Sequence, residues 1–593
     1  MNLLDLCVIG LYFVVVLGAG FWFRRRAARG LESYFLGGQN IPWLALAVSG
    51  ASSMFDVTGT MWIVTLIVLF GFKSMWHHWM WGFLMGAFFM SFMGKWVRRS
   101  GVLTGAEWMI TRFGDGPAGR TARTAYAIMA VVTLAAFIGY SFEGIGKFVA
   151  VYVPLDAELC AAIMFALTTV YVLLGGLYSV VVTDLVQTAV LSVAALLIAC
   201  VAYATITPQT LAALEATRPQ FHSLLPVWKL SSAEQAIVAG TDYEGYTLFG
   251  ALAIAWVLKG LLLNLGGPAQ MSDFQRFLAA RTPRDAAKVG AAWSLFMIVR
   301  WAMAAGIALL AIQAGTKVVK DPEQFMPWVL HAMPMGLRGL IIAGLLAAFM
   351  AAFSAMVNAG ASYMVRDFWQ PLVAPHAGRR HLIAASYAAS FLLVAVGILI
   401  GLNAASIGKV FNWIMMALGA AFAIPNVLRW YWWRINGWGY AAGTLAGLGA
   451  AVIVPFVPSL APMYVSFPLI CAVSLAGTLV ATWATAPTDS RLLATFYRTV
   501  RPFGFWAPVR REAGLSDTEQ NDPAESPALA LLNTLLGAVA ILAVYVCPMY
   551  LVGHWHVHAA AWAGVAAVAL VALYFTWYRT LPAAESPQPT QPL

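Results

Sequence analysis

Apolar stretches of about 18 or more residues recur from one end of the chain to the other, each long enough to cross a hydrocarbon core of about 30 Å as a helix. A chain built this way is solvated by lipid. A bilayer offers no water to free backbone groups, so spanning segments must be helices or a closed barrel, and these runs lack the period-two alternation of barrel strands. They imply an all-α, polytopic membrane protein. Composition agrees: of 593 residues, 61% are apolar and 10% charged, against roughly 25% charged in an average soluble protein.

Breaks at charge, Pro and Gly clusters predict helices near 4–23, 42–71, 75–97, 122–151, 157–175, 179–206, 246–266, 286–315, 336–365, 382–402, 408–432, 438–457, 465–486, 527–552 and 558–578, about fifteen crossings. Every second loop is basic, carrying Arg24 to Arg26, Arg98 with Arg99 and Arg112, Arg276 with Arg281 and Arg284, Arg379 with Arg380, Arg434, then Arg498 with Arg510 and Arg511. The positive-inside rule makes those loops cytoplasmic, with the N-terminus outside and the C-terminus inside a cell membrane, of bacterial cytoplasmic type. The net charge of +10 is thereby assigned to topology and not to a nucleic-acid partner. Cys7, Cys160, Cys200, Cys471 and Cys547 lie in or beside apolar segments without paired spacing, which excludes a disulfide framework or a metal site. The first segment lacks a basic n-region and reads as a retained helix. Residues 487–526 are polar and read as a cytoplasmic linker before two peripheral helices, and the Pro-rich tail from Pro582 is expected to be disordered.

Chemistry concentrates where polarity interrupts a span. Ser49 to Gly59, with Ser52, Ser53, Asp56 and Thr58, is a small, polar, Gly-bearing run in mid-helix. Such a run either lets helices pack closely or breaks the helix and frees carbonyls and N–H groups to hold an ion or a polar solute. A second interruption, Asn264-Leu265-Gly266-Gly267-Pro268-Ala269-Gln270, follows five helices later. Two broken helices in corresponding places mark an inverted-repeat transporter.

These features resemble the sodium:solute symporter family, whose members share the LeuT-type five-plus-five inverted repeat. Glu32 to Gly38 is similar to the family's lead-in to its first broken helix, and Gly175-Gly176-Leu177-Tyr178 with Thr183-Asp184-Leu185-Val186-Gln187 resembles its fifth-repeat-helix motif. Gln275-Arg276 with Ala279-Ala280 is similar to the loop after the second broken helix, and Leu346 to Met350 through Asn358 to Asp367 resembles the eighth repeat helix. The resemblance implies an extra N-terminal helix and loop over 1–41, repeat 1 over 42–206, an external loop over 207–245, repeat 2 over 246–432, and extra C-terminal helices over 433–593. It also implies a sodium site built on carbonyls of Ser49 and Ser52, beside Ser53, and on the eighth repeat helix around Ala348. The two hydroxyl positions of that helix fall on Ala351 and Ala352. A methyl group ligates no hard cation, so two of the expected oxygens are missing. Ser354, one turn on, and Asp184 occupy positions that some members use for a second sodium, and an intramembrane carboxylate marks an ion or proton path. The alternative for Asp184 is a capped or Arg-paired carboxylate at its helix end.

For the solute, Asp56 falls where sugar-carrying relatives place a polar contact. Their other contacts fall near Met75, Met297 and Met415, which argues against a hexose. Trp76, His77 and His78 suggest an aromatic pocket facing Asp56, although either histidine would serve equally well in an interhelical hydrogen bond. Asp56 with aromatic neighbours would suit a cationic or amine-bearing solute. Asn264 lies at the second interruption, Glu143 is four residues before Lys147 on one helix, and Lys259 and Arg300 are further buried-charge candidates. The alternating His554, His556 and His558 fit an interfacial turn better than zinc. The expectation is a secondary active symporter of a small organic solute working by alternating access, coupled to sodium or protons, embedded in lipid and without a cofactor or resident metal beyond that ion. A solute receptor on the same scaffold is the alternative. No HExxH, GxSxG or clustered acid–base set points to an enzyme. The oligomeric state is not readable from the sequence.

Overall fold

The apolar runs become helices throughout, and pairing of strand type among the described residues is limited to one isolated bridge between Trp432 and Phe505. The computed structural model describes residues 2–27, 41–102, 104–267, 273–315, 319–404, 406–516 and 522–582. Helix α1 (Leu3–Ala27) leads into a broken pair, α2 (Trp43–Met54) and α3 (Val57–Phe70). Then come α4 (Met75–Phe88), a π-helical turn over Phe89–Met93, α5 (Gly94–Arg99), α6 (Trp108–Phe113), α7 (Pro117–Ala150) and α8 (Ala157–Thr205). The expected external loop holds α9 (Pro208–Thr217) and α10 (Ser232–Val238). The second half runs α11 (Phe249–Leu265), α12 (Phe274–Leu278), α13 (Pro283–Phe296), α14 (Ile298–Ala314), α15 (Phe325–His331), α16 (Leu337–Tyr363), α17 (Arg379–Leu402), α18 (Ile407–Met415) and α19 (Ala423–Tyr431). After it come α20 (Gly437–Ile453), α21 (Met463–Ala484), α22 (Ser490–Val500), α23 (Ala507–Glu512), α24 (Pro527–Val552) and α25 (His556–Leu573).

Local sequence sets these boundaries. Proline stands in the first turn of α7, α9, α13 and α24, where its missing N–H costs no helical bond. Side chains of Asp156, Thr207, Thr282, Asn436 and Ser526 each accept from a first-turn amide, as an N-cap does. Ser231 and Glu234 form a reciprocal capping box on α10.

The expected count of about fifteen crossings is corrected. Among the described residues ten helices are long and apolar enough to span a membrane, or up to eleven when the bent α2–α3 pair is taken as one span. Apolar segments at Leu3–Val15, Ala157–Val170 and Phe249–Leu265 are shorter than the about 20 residues a crossing needs. The two helices expected at 157–175 and 179–206 form one backbone helix of 49 residues, α8. The Gly175-Gly176 pair lowers helix propensity without supplying a proline or a competing cap, so the helix runs through. Helices α2, α3, α7 and α16 form the interior. The apolar stretch of Leu337–Val373 is 94% buried, whereas that of His556–Tyr578 is 22% buried, which places α16 at the centre and α25 at the rim.

Residues 490–516 are not an extended linker. Helices α22 and α23 fold back onto the basic end of the bundle, where Phe505 N donates to the Tyr431 carbonyl at 2.7 Å and Trp506 Nε1 to the Trp430 carbonyl at 2.8 Å. The Arg112 guanidinium lies within 5.4 Å of the Phe496 and Trp506 ring centroids and donates to the Arg429 and Trp432 carbonyls. Polar composition suggested a loose linker, but aromatic residues at Phe496, Phe503 and Trp506 give this segment an apolar side to bury. Glu525 closes the return by accepting from Arg99 Nη2 at 2.6 Å, with Lys95 Nζ at 3.4 Å.

Burial works against the Glu525 charge, but Arg99 and Lys95 outweigh it and hold the carboxyl below the usual glutamate range. A depressed folded-state pKa contributes stability above the unfolded value and loses it as the pH falls through the folded value. Glu525→Gln should therefore lower stability at pH 7 by about 3 kcal/mol, leaving two cations facing an amide. In detergent unfolding curves the difference between variant and wild type should shrink as the pH drops below about 4.5.

Candidate functional site

The polar run Ser49–Gly59 does break its helix: α2 and α3 meet at an angle of 59°. Phe55 and Asp56 leave helical geometry, Asp56 being extended at φ −79° and ψ 150°. Asp56 starts α3 as its N-cap, with Oδ2 accepting from Gly59 N at 2.7 Å, and Thr60 Oγ1 donates to the Asp56 carbonyl at 2.6 Å. Gly59 is required by this close approach, since a Cβ there would stand 2.5 Å from Asp56 Oδ1.

Arg300 of α14 fills the break. Its Nη1 donates to the Met54 carbonyl at the end of α2 at 2.8 Å, its Nε to Thr60 Oγ1 at 3.1 Å and its Nη2 to Asp56 Oδ1 at 3.1 Å. One guanidinium thus joins both half-helices and neutralises the carboxylate between them. Arg300 is buried, while the Asp56 side chain keeps 21% of its surface exposed. Around α3, Trp62 of that helix, Trp256 of α11 and Phe411 of α18 form an aromatic triangle with centroids 4.7 to 5.7 Å apart, and Tyr140 of α7 packs on Phe411 at 5.5 Å. Lys259 is buried with Nζ 3.9 Å from the Trp256 ring centroid, a cation–π contact.

A second polar cluster lies along α2. Ser49 Oγ donates to Asp184 Oδ2 of α8 at 2.5 Å, and Arg276 of α12 approaches Ser49 Oγ with Nε at 3.3 Å and Asp184 Oδ2 with Nη2 at 3.9 Å. All three are buried. Asp184 Oδ1, Arg276 Nη2 and Ser52 Oγ are shielded and have no hydrogen-bond partner among the described residues. Ser53 and Ser354 spend their hydroxyls on the carbonyls of Gly50 and Ala351. Ala348, Ala351 and Ala352 are buried on α16, which packs on both α2 and α8.

The remaining sequence candidates scatter. Trp76 Nε1 donates to the Leu224 carbonyl at 2.6 Å. His77 has its Nδ1 3.2 Å from the Ser74 carbonyl and its ring against Tyr246, Phe249 and Trp256. The side chains of His78 and Met415 lie outside the described residues, as do Pro268 to Gln270 of the second interruption, where α11 ends at Leu265. Asn264 is buried and bonds the Gly260 carbonyl through Nδ2 at 2.7 Å, leaving Oδ1 without a partner among the described residues. Glu143 pairs with Lys147 at 3.3 Å, and Lys147 also binds Asp321 and Glu323. Glu323 in turn accepts from the Ile407 and Gly408 amides at the start of α18. Glu143 therefore belongs to an ion network at the end of the bundle that carries residues 207–245, apart from the break. Sequence reasoning singled out Arg300 as a buried charge without its partner, and it missed the aromatic triangle. Arg276 was read as loop charge because its position after α11 matched a basic loop.

The Arg300–Asp56 pair generates a non-additivity test. Arg300→Met and Asp56→Asn should each cost about 3 kcal/mol by leaving one charge unpaired at the break, and the double variant should lose clearly less than the sum. Unfolding of the purified protein in detergent measures all three. Additive losses would mean that the two side chains do not act on each other.

Comparison with known proteins agrees with this geometry. The model of the "Sodium:solute symporter family" matches residues 34–447. "Sodium/glucose cotransporter 4" of Danio rerio is 24% identical over 501 residues, covering 76% of this chain and 72% of that protein. "Osmoregulated proline transporter OpuE" of Bacillus subtilis is 23% identical over 460 residues, covering 75% and 87%. The structure of a Na+-coupled sialic acid symporter in a substrate-bound outward-open state superposes with a TM-score of 0.64 at 16% identity, covering 82% of this chain and 99% of that one, which shows a common fold. With the broken helix, the buried ion cluster and the family match in hand, the chain belongs to the sodium:solute symporter family and is a secondary active, cation-coupled solute symporter, not an enzyme.

Proposed function

We propose that this symporter holds its solute at the α2–α3 break and couples its movement to a proton carried by Asp184. The observation that carries this reading is the buried Ser49–Asp184–Arg276 cluster, which joins α2 and α8 where both pack on α16, the helix of the buried Ala351 and Ala352. A sodium ion among the Ser49 and Ser52 carbonyls would want about six oxygens, and α16 offers methyl groups at two of those places. A proton needs one acceptor, and Asp184 Oδ1 has no hydrogen-bond partner among the described residues. Protonation would release the carboxylate from Arg276 and change the hold of α8 on α2. Sodium coupling is the second reading, favoured by relatives named as sodium cotransporters.

The solute is a small organic molecule without net positive charge, because Arg300 already compensates Asp56 and a cation would have to compete with it. The aromatic triangle supplies walls for ring or aliphatic faces. Residues 42–206 and 246–432 form the two repeats that rock against each other. The end carrying Arg98, Arg99, Arg112 and Arg434 faces the cytoplasm, placing the N-terminus outside and the C-terminus inside.

Reconstituted vesicles with an imposed pH or sodium gradient test this with labelled L-proline, D-glucose and myo-inositol. Accumulation against the concentration gradient should follow the pH gradient and fall to background in Asp184→Asn, and such accumulation also distinguishes a carrier from a solute receptor. Introducing Ala351→Ser with Ala352→Ser should create a sodium requirement. Sodium-driven accumulation by the wild type that ignores the pH gradient would overturn the proton reading.

A further inference from the structure

At the basic end of the bundle an apolar groove of about 530 Å³ opens between α19, α21 and residues 505–508, lined by Leu428, Trp432, Leu475, Leu479, Trp483 and Phe505. Three facts set it apart from an ordinary lipid-facing surface. First, its floor is built. Phe505 N donates to the Tyr431 carbonyl, Trp433 N donates to the Phe505 carbonyl at 3.3 Å, and Trp432 meets Trp483 edge to face at 6.2 Å. Second, it lies where two apolar spans, Ile407–Tyr431 and Met463–Ala484, both end. Tryptophans at span ends mark the boundary between hydrocarbon and headgroups, and Trp483 and Phe505 are 63% and 76% exposed there. Third, a cation adjoins its lining in the chain. Arg434, the chain neighbour of Trp433, donates through Nη2 to the Thr485 carbonyl two residues beyond Trp483, at 3.0 Å. Its Nη1 is shielded and has no hydrogen-bond partner among the described residues.

The surroundings are strongly basic. Arg434 and residues 485–516 together hold six arginines, at 434, 491, 498, 501, 510 and 511, against two acids, Asp489 and Glu512. Asp489 is already engaged with the Leu492 amide. An apolar slot beside an arginine-rich stretch of chain fits an acyl chain joined to a phosphate, and basic pockets between spanning helices recognise anionic headgroups in this way.

We infer that this groove is a binding site for an anionic phospholipid of the bilayer, its chain against Trp483, Leu479 and Phe505 and its phosphate on Arg434. The occupant would tie α19, the last helix of the second repeat, to the docked α22–α23 segment, so lipid charge would bear on the cytoplasmic side of the carrier.

The test needs no solute, so its outcome is independent of the transport reading. The full chain is purified in detergent, exposed to equimolar phosphatidylglycerol and phosphatidylcholine, and examined for retained lipid by native mass spectrometry. The wild type should retain phosphatidylglycerol in preference. Arg434→Gln should cut that preference about fivefold, Arg434→Lys should keep most of it, and Trp483→Ala should lower retention of both lipids. Phe456→Ala, an exposed apolar residue outside the groove, should change nothing. Equal retention of the two lipids by the wild type, or Arg434→Gln behaving like Phe456→Ala, would overturn the proposal.

Discussion

A helix broken inside a membrane leaves backbone groups that lipid cannot satisfy, and everything at the centre of this molecule follows from how that need is met. The Met54 carbonyl at the end of α2 is taken by Arg300, and the Gly59 amide at the start of α3 by Asp56. Because the same guanidinium bonds Asp56 itself, the two half-helices are joined through a neutralised pair and not through an open charge. The pair offsets the negative charge that an open carboxylate would present at the break. Three polar groups at the break thus have named partners, the Met54 carbonyl, the Asp56 carbonyl and the Gly59 amide.

The ion cluster obeys a different logic. Ser49, Asp184 and Arg276 come from α2, α8 and α12 and meet in a fully buried place, yet they leave Asp184 Oδ1, Arg276 Nη2 and Ser52 Oγ without hydrogen bonds among the described residues. Incomplete satisfaction costs stability. Ala351 and Ala352 are buried on α16, which packs on both α2 and α8, and their methyl groups offer no oxygen to a cation. Arg300 ties the two half-helices together at the break, and the Asp184 cluster joins α2 to α8 and α12.

Much of this was legible in the sequence, for reasons that are local. The clustering of Ser, Gly and Asp in 49–59 predicts a break because these residues weaken a helix and cap the next one, and Asp56 does cap α3. The helices themselves follow from apolar run length. Arg300 was visible as a buried charge, but its partner lies some 240 positions away in sequence, and no periodicity reports a contact of that separation. His77 packs against Phe249 and Trp256 of α11, a contact that helical spacing alone does not reveal. The Gly175-Gly176 pair suggested a boundary, yet glycine permits a break without demanding one, and α8 continues. Residues 490–516 looked polar on average, and average composition hid the three aromatic side chains that dock them.

Hydrogen–deuterium exchange over residues 55–62 tests the central claim most directly, since it reads the backbone at the break itself. With Arg300 in place the first-turn amides of α3 should exchange as slowly as the buried helices around them, and Arg300→Met should speed their exchange while leaving α16 unchanged. If the variant and the wild type protect that segment equally, the guanidinium does not hold the broken helix together, and the account fails.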